Sequence, residues 1–158
     1  MLPTQFFKPV TRRVIAAWAL LTRSMILGVR VVAFDCEGRI LLVRHSYLPG
    51  WYLPGGGVDP GETCLAAAAR ELGEETGHAS PRPLTLLGLF HNARFSRRNH
   101  VALYRADDCE PVRAVAIPNA EIVEIGWFAP SALPADATDA TRRRLDEVLN
   151  ARPPAETW

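Results

Sequence analysis

Short apolar runs rich in β-branched residues recur along the middle of the chain. Residues 26–34 read ILGVRVVAF, and residues 39–45 read RILLVRH after the turn sequence DCEG. Two such runs separated by a tight turn predict a β-hairpin. Further runs of the same kind predict strands over residues 84–90, 101–105 and 122–128.

Two later segments have the composition and spacing of helices. Residues 63–76 are rich in alanine and free of proline, which favours an α-helix. Residues 135–151 combine an apolar stripe with a basic face that we expect to be solvated. The stripe is formed by Leu145, Val148 and Leu149, and the basic face by Arg142, Arg143 and Arg144. Strands flanked by helices predict an α/β sandwich around one mixed sheet.

The N-terminal stretch also has helical periodicity, with Phe7, Val10, Val14, Trp18 and Leu21 on one face. Its apolar run is far shorter than the ~20 residues that cross a bilayer, and no signal-peptide cleavage pattern follows it. We expect this helix to pack on its own domain or on a second subunit, giving a monomer or a homodimer. Attachment to a membrane surface is the alternative.

These patterns divide the chain into three parts. Residues 1–24 are predicted to be an N-terminal helical extension, residues 25–152 a folded domain, and residues 153–158 a C-terminal tail. A total of 158 residues, 48% hydrophobic and 22% charged, is typical of a single globular domain.

Charge and cysteine usage exclude several classes of function. The formal net charge of +1 gives no field that would recruit nucleic acid or an anionic membrane, so we expect neither as a partner. Cys36, Cys64 and Cys109 form no paired or zinc-binding spacing. Isolated cysteines of this kind are typical of reduced thiols in a cytoplasmic protein.

The candidate chemistry lies in the predicted helix over residues 63–76. Glu71, Glu74 and Glu75 stand at i, i+3 and i+4, so they share one face, where like charges repel. Arg70 offsets only part of this repulsion, through an i,i+4 pair with Glu74. A divalent cation would convert the repulsion into coordination, because Mg²⁺ and Mn²⁺ prefer carboxylate oxygens. A solvated helix face is the simpler interpretation of the glutamates taken alone.

The surroundings of the glutamates favour the metal site over a solvated face. The opposite face of the helix, with Leu65, Ala68, Ala69 and Leu72, is suited to packing on a sheet. A glycine-rich loop, GGGVDPG, directly precedes the helix. Glycines let backbone groups approach a metal ion or a phosphate closely.

Residues 56–78 resemble the Nudix box, G-x5-E-x7-R-E-U-x-E-E-x-G-U, in which U is a bulky apolar residue. Gly56, Glu62 and residues 70–77 supply every fixed identity, and Leu72 fills the first U position. His78 at the final U position is the one departure, and it concerns local packing rather than metal binding. The resemblance covers about residues 28–149 and implies a Nudix-type α/β/α sandwich with a mixed central sheet.

The resemblance to Nudix hydrolases also implies an activity. The implied activity is that of a divalent-metal-dependent pyrophosphohydrolase. Such an enzyme cleaves a nucleoside diphosphate linked to another moiety, by attack of water on a phosphorus. The resemblance implies Mg²⁺ or Mn²⁺ bound by Glu71, Glu74, Glu75 and the carbonyl group of Gly56. It further implies that Arg70 holds the glutamates in place.

The general base and the phosphate contacts are less constrained by the resemblance. Glu121, ahead of the strand that carries Trp127, is the candidate base besides the box glutamates, and Glu124 is the weaker alternative. Three arginines near the expected site are candidates for clamping phosphates, namely Arg44, Arg94 and Arg98. The expected partner is a small-molecule nucleotide, and a sugar nucleotide and a nucleoside triphosphate both remain open. A non-catalytic nucleotide-binding or sensing module on the same fold is the alternative function.

Overall fold

The computed structural model describes Trp18 and residues 24–158 of the chain. Its strands are β1 (Ile26–Ala33), β2 (Ile40–His45), β3 (His78–Ala79), β4 (Thr85–His91), β5 (Asn99–Ala106), β6 (Glu110–Pro111) and β7 (Ile122–Phe128), and its helices are α1 (Cys64–Thr76) and α2 (Asp139–Leu149). The strands and helices predicted from residue 26 onward are confirmed, with shifts at their ends. The sequence did not predict β3 and β6, because strands of two residues have no measurable periodicity. The expected N-terminal helix lies outside the described residues, apart from Trp18, which is helical.

A three-stranded mixed sheet in the order β1-β5-β4 lies at the centre of the domain. β1 is parallel to β5, and β4 is antiparallel to β5. β2 and β7 form a separate antiparallel pair, and β3 and β6 form another. One core cluster joins Val31 to Leu72 of α1, and a second joins Val32 to Leu145 of α2. Because the helices cover opposite faces of the strands, the expected α/β/α sandwich is confirmed.

The predicted hairpin over residues 26–45 is wrong. Among the described residues, β1 and β2 are paired only through the isolated bridge between Phe34 and Ile40. The reason is that β1 uses one edge for β5 and its other edge for the glycine-rich loop. The amide of Val29 donates to the carbonyl oxygen of Gly56 at 2.9 Å, and the amide of Val58 donates to that of Leu27 at 3.0 Å. The loop is thereby fixed to β1.

Threonine side chains cap both helices. The hydroxyl oxygen of Thr63 accepts a hydrogen bond from the amide of Ala66 at the start of α1, and that of Thr138 accepts one from Thr141 at the start of α2. Because Thr138 is extended and fills the N-cap, α2 begins later than the sequence pattern indicated. Gly77 ends α1 with a φ of 75°, a conformation that favours glycine.

The face that α1 packs against the sheet differs from the expected one. Ala68 and Leu72 are buried as predicted, but Leu65 and Ala69 are exposed. The packed face is rotated toward the C-terminal glutamates, so it includes Glu75, which is buried. The apolar and acidic stripes of this helix therefore overlap.

The basic face predicted for α2 is solvated only in part, because Arg144 is 1% exposed. Its guanidinium lies 4.2 Å from the ring centroid of Phe90 and donates to the carboxylate of Glu147 at 2.7 Å and to the carbonyl oxygen of Thr157 at 3.0 Å. The amide of Trp158 donates to His91 at 3.0 Å, so the predicted tail lies along the end of β4. This buried arginine connects α2, β4 and the C-terminal residues.

The cysteines are free thiols, as the sequence predicts. Cys109 is buried, and burial raises the pKa of its thiol to about 12, so the thiol stays protonated near neutral pH. Within residues 24–158 and at Trp18, no helix is long and apolar enough to cross a bilayer.

Candidate functional site

Arg70 is the centre of a hydrogen-bonded carboxylate network on α1. Its guanidinium donates to Glu62 at 2.9 Å, to Glu71 at 2.8 Å and to Glu74 at 3.0 Å. It also donates to the carbonyl oxygen of Gly57 at 3.1 Å, which ties the helix to the glycine-rich loop. The hydrogen bond from Arg70 lowers the pKa of Glu62, which keeps that carboxylate charged. The expected i,i+4 pair between Arg70 and Glu74 is present.

Glu75 lies apart from this network, on the packed side of α1. Its side chain is 4% exposed, and its carboxylate accepts a hydrogen bond of 2.8 Å from the amide of Gly55. Burial raises the pKa of Glu75 to about 7, against the attraction of Arg30, and the neighbouring carboxylates Glu71 and Glu121 raise it further. The sequence pattern placed the three helix glutamates on one face, opposite the face that packs on the sheet. The structure instead buries one of them.

Glu71 lies between Arg70 and the glycine-rich loop. Its side chain is 14% exposed, and burial raises its pKa in spite of the hydrogen bond from Arg70. A Cβ atom at Gly56 would lie 2.5 Å from a Glu71 carboxylate oxygen, so only glycine leaves room for that group. The Gly56 carbonyl oxygen accepts from Val29 at 2.9 Å and keeps a second lone pair. Glu74, with 53% of its side chain exposed, is the outermost of the helix glutamates.

Glu121 is brought to Glu75 by the loop before β7. The amide of Ser46 donates to the Glu121 carbonyl oxygen at 2.8 Å, and the amide of Glu121 donates to the side chain of Asn119 at 2.9 Å. These bonds fasten the loop to the end of β2. The negative charge of Glu121 adds to the effect of burial, which is the main cause of the raised pKa of Glu75.

His45, at the end of β2, completes this cluster. One ring nitrogen of His45 and one carboxylate oxygen each of Glu75 and Glu121 all lie within 4.8 Å of one another. The register of β2 and β7 shifts between Arg44 and His45, a β-bulge of the kind that re-aims side chains beside functional sites. Burial, followed by the positive charge of Arg30, lowers the pKa of His45, so its imidazole is neutral near pH 7.

Sequence reasoning missed Arg30, and it placed His45 near the glycine-rich loop without predicting that it faces Glu75 and Glu121. Arg30 lies in β1 and donates to the backbone carbonyl oxygens of Leu53 and Gly55, so it braces the glycine-rich loop beside Glu75. The sequence does show a polar residue in each of these apolar strands, Arg30 in β1 and His45 in β2. A polar residue in a strand does not show which face of the sheet it occupies, so its place in the site could not be predicted.

The predicted phosphate-binding arginines occupy three separate places. Arg44 pairs with Asp136 at 2.8 Å and lies 4.9 Å over the ring of Trp51. Arg98 donates to the hydroxyl of Ser24 at 2.9 Å, and Arg94 lies on an exposed loop. The three arginines are not brought together around the glutamates.

An open cleft of about 310 Å³ adjoins the glycine-rich loop. It runs between β1, the loop before β5 and the first turn of α2, and its lining includes Arg30, Tyr52, Phe95 and Asn99. Asn99 is 5% exposed, and its side-chain oxygen has no hydrogen-bond partner among the described residues. The cleft therefore offers three aromatic residues, Tyr52, Phe95 and Trp158, and the cation Arg30 beside the glycine-rich loop.

The side chains of this site fit a divalent cation. Glu71, Glu75 and Glu121 repel one another, and Arg70 pairs with Glu71 but not with Glu75. A buried carboxylate with no cationic partner is costly, and a bound cation offsets that cost. Carboxylate oxygens are the ligands that Mg²⁺ and Mn²⁺ take in proteins, and an imidazole nitrogen suits transition metals.

The burial of Glu75 predicts that the metal-free protein loses stability as the pH rises. The pKa of Glu75 is about 7 in the folded state against an ordinary value of 4.5 in the unfolded state, so the folded protein binds more protons in between. The contribution of Glu75 to the free energy of unfolding is complete at pH values below its pKa in the unfolded state. It falls by about 3 kcal/mol in all as the pH rises toward its pKa in the folded state. Urea unfolding in EDTA at a series of pH values measures this loss.

The matched control for this pH dependence is Glu75→Gln, which removes the titrating group. We expect the free energy of unfolding of this variant to change much less across the same pH interval. The prediction is wrong if the wild-type protein gains stability as the pH rises, or if the variant keeps the full wild-type slope.

Comparison with known proteins agrees with this geometry. The sequence model of the NUDIX domain matches residues 25–149. A protein of Bacillus subtilis (strain 168) with the provisional name 8-oxo-dGTP diphosphatase is 30% identical over 123 residues, which are 78% of this chain and 79% of that protein. The RNA pyrophosphohydrolase of Gluconobacter oxydans (strain 621H) is 43% identical over 59 residues, which are 36% of this chain and 35% of that protein.

The fold comparison agrees with the sequence comparison. The crystal structure of the MutT NUDIX hydrolase from Burkholderia pseudomallei superimposes with a TM-score of 0.66 at 33% identity, covering 79% of this chain and 98% of that chain. The named relatives are enzymes, which favours a hydrolase over a non-catalytic nucleotide-binding module. The chain therefore belongs to the Nudix family, as a divalent-metal-dependent pyrophosphohydrolase that cleaves nucleoside diphosphates linked to another moiety.

Proposed function

We propose that this hydrolase cleaves small nucleotides with Mg²⁺ or Mn²⁺ bound by Glu71, Glu74 and Glu75, and with Glu121 as the general base. The observation that carries the proposal is the convergence of Glu75 and Glu121, together with the lack of an arginine ion pair to the buried Glu75 among the described residues. A bound divalent cation neutralises charge on the pyrophosphate and orients the attacking water.

The residues of α1 have graded roles in this proposal. Glu75 is the innermost ligand, because burial holds it in one position and the amide of Gly55 fixes one of its oxygens. Glu71 lies next to Gly56, whose carbonyl oxygen has a lone pair left for a cation. Arg70 is a positioning residue that holds Glu71 and the more exposed Glu74 through hydrogen bonds of 2.8 and 3.0 Å.

Glu121 is placed to accept the proton of the attacking water. Its carboxylate lies within 4.8 Å of that of Glu75, and its backbone is fixed at both sides by Ser46 and Asn119. A fixed base within reach of the water, directly or through one further water, removes its proton as the new bond to phosphorus forms. The exposed Glu124 faces Arg44 instead, at 3.7 Å.

We expect Glu121→Gln to lower kcat about a hundredfold, because loss of a general base costs about that much. The matched control is Glu124→Gln, which removes a carboxylate three residues away that faces Arg44. We expect this control to keep the wild-type kcat within about twofold. Steady-state hydrolysis with saturating Mg²⁺ measures both variants, and equal losses in the two would refute the assignment of Glu121.

The cleft beside the glycine-rich loop supports a small-molecule substrate. We propose that the nucleoside enters this cleft, with Tyr52 and Phe95 beside the base. Arg44, Arg94 and Arg98 remain candidates for phosphate contacts from the rim. The near-neutral charge of the chain favours a free nucleotide in the cytoplasm over nucleic acid or a membrane surface. The protein is proposed to act as a monomer or a homodimer.

The proposed function is tested by measuring hydrolysis of a substrate panel with and without Mg²⁺ or Mn²⁺. The panel contains nucleoside triphosphates, sugar nucleotides, dinucleotides, dinucleoside polyphosphates and an RNA with a 5′-triphosphate. The proposal predicts metal-dependent cleavage of at least one small nucleotide. Turnover of the RNA alone would overturn the proposed substrate class, and turnover that persists in EDTA would overturn the metal assignment.

A further inference from the structure

The imidazole of His45 is a buried polar group without a partner. The residue is 4% exposed, and neither ring nitrogen has a hydrogen-bond partner among the described residues. An unsatisfied buried polar group costs about 1–3 kcal/mol, so native proteins rarely keep one without a reason. A ligand that binds the ring nitrogen would remove that cost.

The immediate neighbours of His45 leave that role open. The rings of Tyr47 and Tyr52 lie with their centroids 5.3 and 5.4 Å from the imidazole, so they pack against it. The carboxylates of Glu75 and Glu121 lie near one ring nitrogen, with all three donor atoms within 4.8 Å of one another. An uncharged nitrogen facing two carboxylate oxygens is a donor set for a cation.

The spacing of these atoms is close to that of a coordination sphere. Adjacent ligands of one octahedral cation lie about 3 Å apart, and opposite ligands about 4 Å apart, when each metal–ligand distance is about 2.0–2.1 Å. The donor atoms of His45, Glu75 and Glu121 all lie within 4.8 Å of one another, so a closure of up to about 2 Å brings them to these spacings. The bonds from Ser46 to residues 120 and 121 already hold the two sides of the cluster together.

We propose that His45 is a nitrogen ligand of a divalent cation shared with Glu75 and Glu121, and that it gives this site a preference for Mn²⁺ and Co²⁺ over Mg²⁺. Imidazole nitrogen binds first-row transition metals better than it binds Mg²⁺, which takes oxygen ligands. The inference rests on the proposed function only in that both use Glu75 and Glu121. One carboxylate oxygen of Glu121 binds the cation, and its second oxygen stays available as the base.

Pulsed electron paramagnetic resonance of the full-length protein with Mn²⁺ alone tests this ligand without any substrate. The wild-type protein is expected to show the ¹⁴N modulation of a directly bound imidazole, which changes on labelling with ¹⁵N-histidine. The modulation is expected to disappear in His45→Gln and to persist in the matched control His91→Gln. The Mn²⁺ dissociation constant of His45→Gln is expected to rise about 10- to 100-fold, with a much smaller change for Mg²⁺.

The proposal is overturned if wild-type protein shows no nitrogen coupling, or if the coupling survives in folded His45→Gln. Should His45→Gln fail to fold, persistence of the coupling in His78→Gln, His91→Gln and His100→Gln assigns it to His45, because the chain has 4 histidines. Loss of the coupling in any one of those three variants overturns it. The nitrogen coupling is measured without turnover, so a negative hydrolysis assay does not affect it. The two proposals can therefore be refuted independently.

Discussion

Glu75→Gln is expected to lower kcat by about a thousandfold, because a metal ligand contributes several kcal/mol to charge stabilisation and each 1.4 kcal/mol is tenfold in rate. Glutamine has nearly the same shape and keeps an oxygen that can accept the hydrogen bond from Gly55. It lacks the negative charge that binds a cation. The measurement is hydrolysis of the best substrate of the panel at saturating Mg²⁺.

The stability of this variant separates a catalytic effect from a folding defect. In the wild-type protein without metal, the buried carboxylate of Glu75 opposes folding when it is ionised, as its raised pKa shows. We therefore expect Glu75→Gln to be more stable than the wild-type protein in EDTA above about pH 7, although it is inactive. A variant that lost activity because it unfolded would instead be less stable than the wild-type protein.

The matched control for Glu75→Gln is Glu110→Gln, which makes the same change on the exposed strand β6. We expect its kcat and its unfolding free energy to stay close to those of the wild-type protein, because surface substitutions usually change stability by less than about 0.5 kcal/mol. If Glu75→Gln retained more than about a tenth of the wild-type kcat, Glu75 would not be an essential ligand.

Gly55→Ala is expected to destabilise the protein by about 3–5 kcal/mol. The same substitution at Gly56 is expected to lower activity instead. Gly55 has a φ of 141°, and a Cβ atom there would overlap the carbonyl oxygen of Val29 and lie 2.9 Å from the Cα of Arg30. Because both obstacles are backbone of strand β1, which is held by β5 on one side and the glycine-rich loop on the other, neither can move away. Urea or thermal unfolding of the metal-free proteins measures the loss.

At Gly56 the obstacle is a side chain instead of backbone. A Cβ atom would lie 2.5 Å from a carboxylate oxygen of Glu71, and that carboxylate can move at the cost of its position in the site. We expect Gly56→Ala to lower kcat about a hundredfold, since a displacement of about 1 Å in a catalytic group has that effect. Its unfolding free energy should fall by less than about 1 kcal/mol.

Gly57→Ala is the matched stability control, because a Cβ atom at Gly57 meets nothing within 4 Å. Its unfolding free energy should stay within about 0.5 kcal/mol of the wild-type value. Equal destabilisation by the alanine substitutions at Gly55 and Gly57 would contradict the steric argument. A Gly56→Ala variant with wild-type kcat would show that the position of Glu71 is not critical.

The part of the site that sequence predicts well is the part built on one helix. Arg70 reaches Glu74 because residues four positions apart are neighbours on any α-helix. This hydrogen bond therefore follows from spacing alone. Membership of the Nudix family was equally readable, because the box is a fixed spacing of residues within one helix and the loop before it.

The errors arose where a residue's surroundings come from distant parts of the chain. The turn between β1 and β2 suggested a hairpin, but the glycine-rich loop and β5 occupy the edges of β1. Arg144 looked solvated because two further arginines precede it, yet it packs over Phe90 of β4. Helical periodicity gives the spacing of side chains around a helix but leaves open which angular sector meets the sheet.

The amino-acid sequence by itself determined the family, the sandwich of helices and strands, and the arginine-linked glutamates of α1, because these depend on periodicity and on contacts within a few residues. Only the tertiary structure decided that Glu75 is buried, that Arg30 braces the loop beside it, and that His45 and Glu121 face it from β2 and the loop before β7. Those contacts join segments far apart along the chain, and packing of the sheet against α1 sets them. The chemistry of this site therefore combines a locally encoded helix with neighbours that only folding supplies.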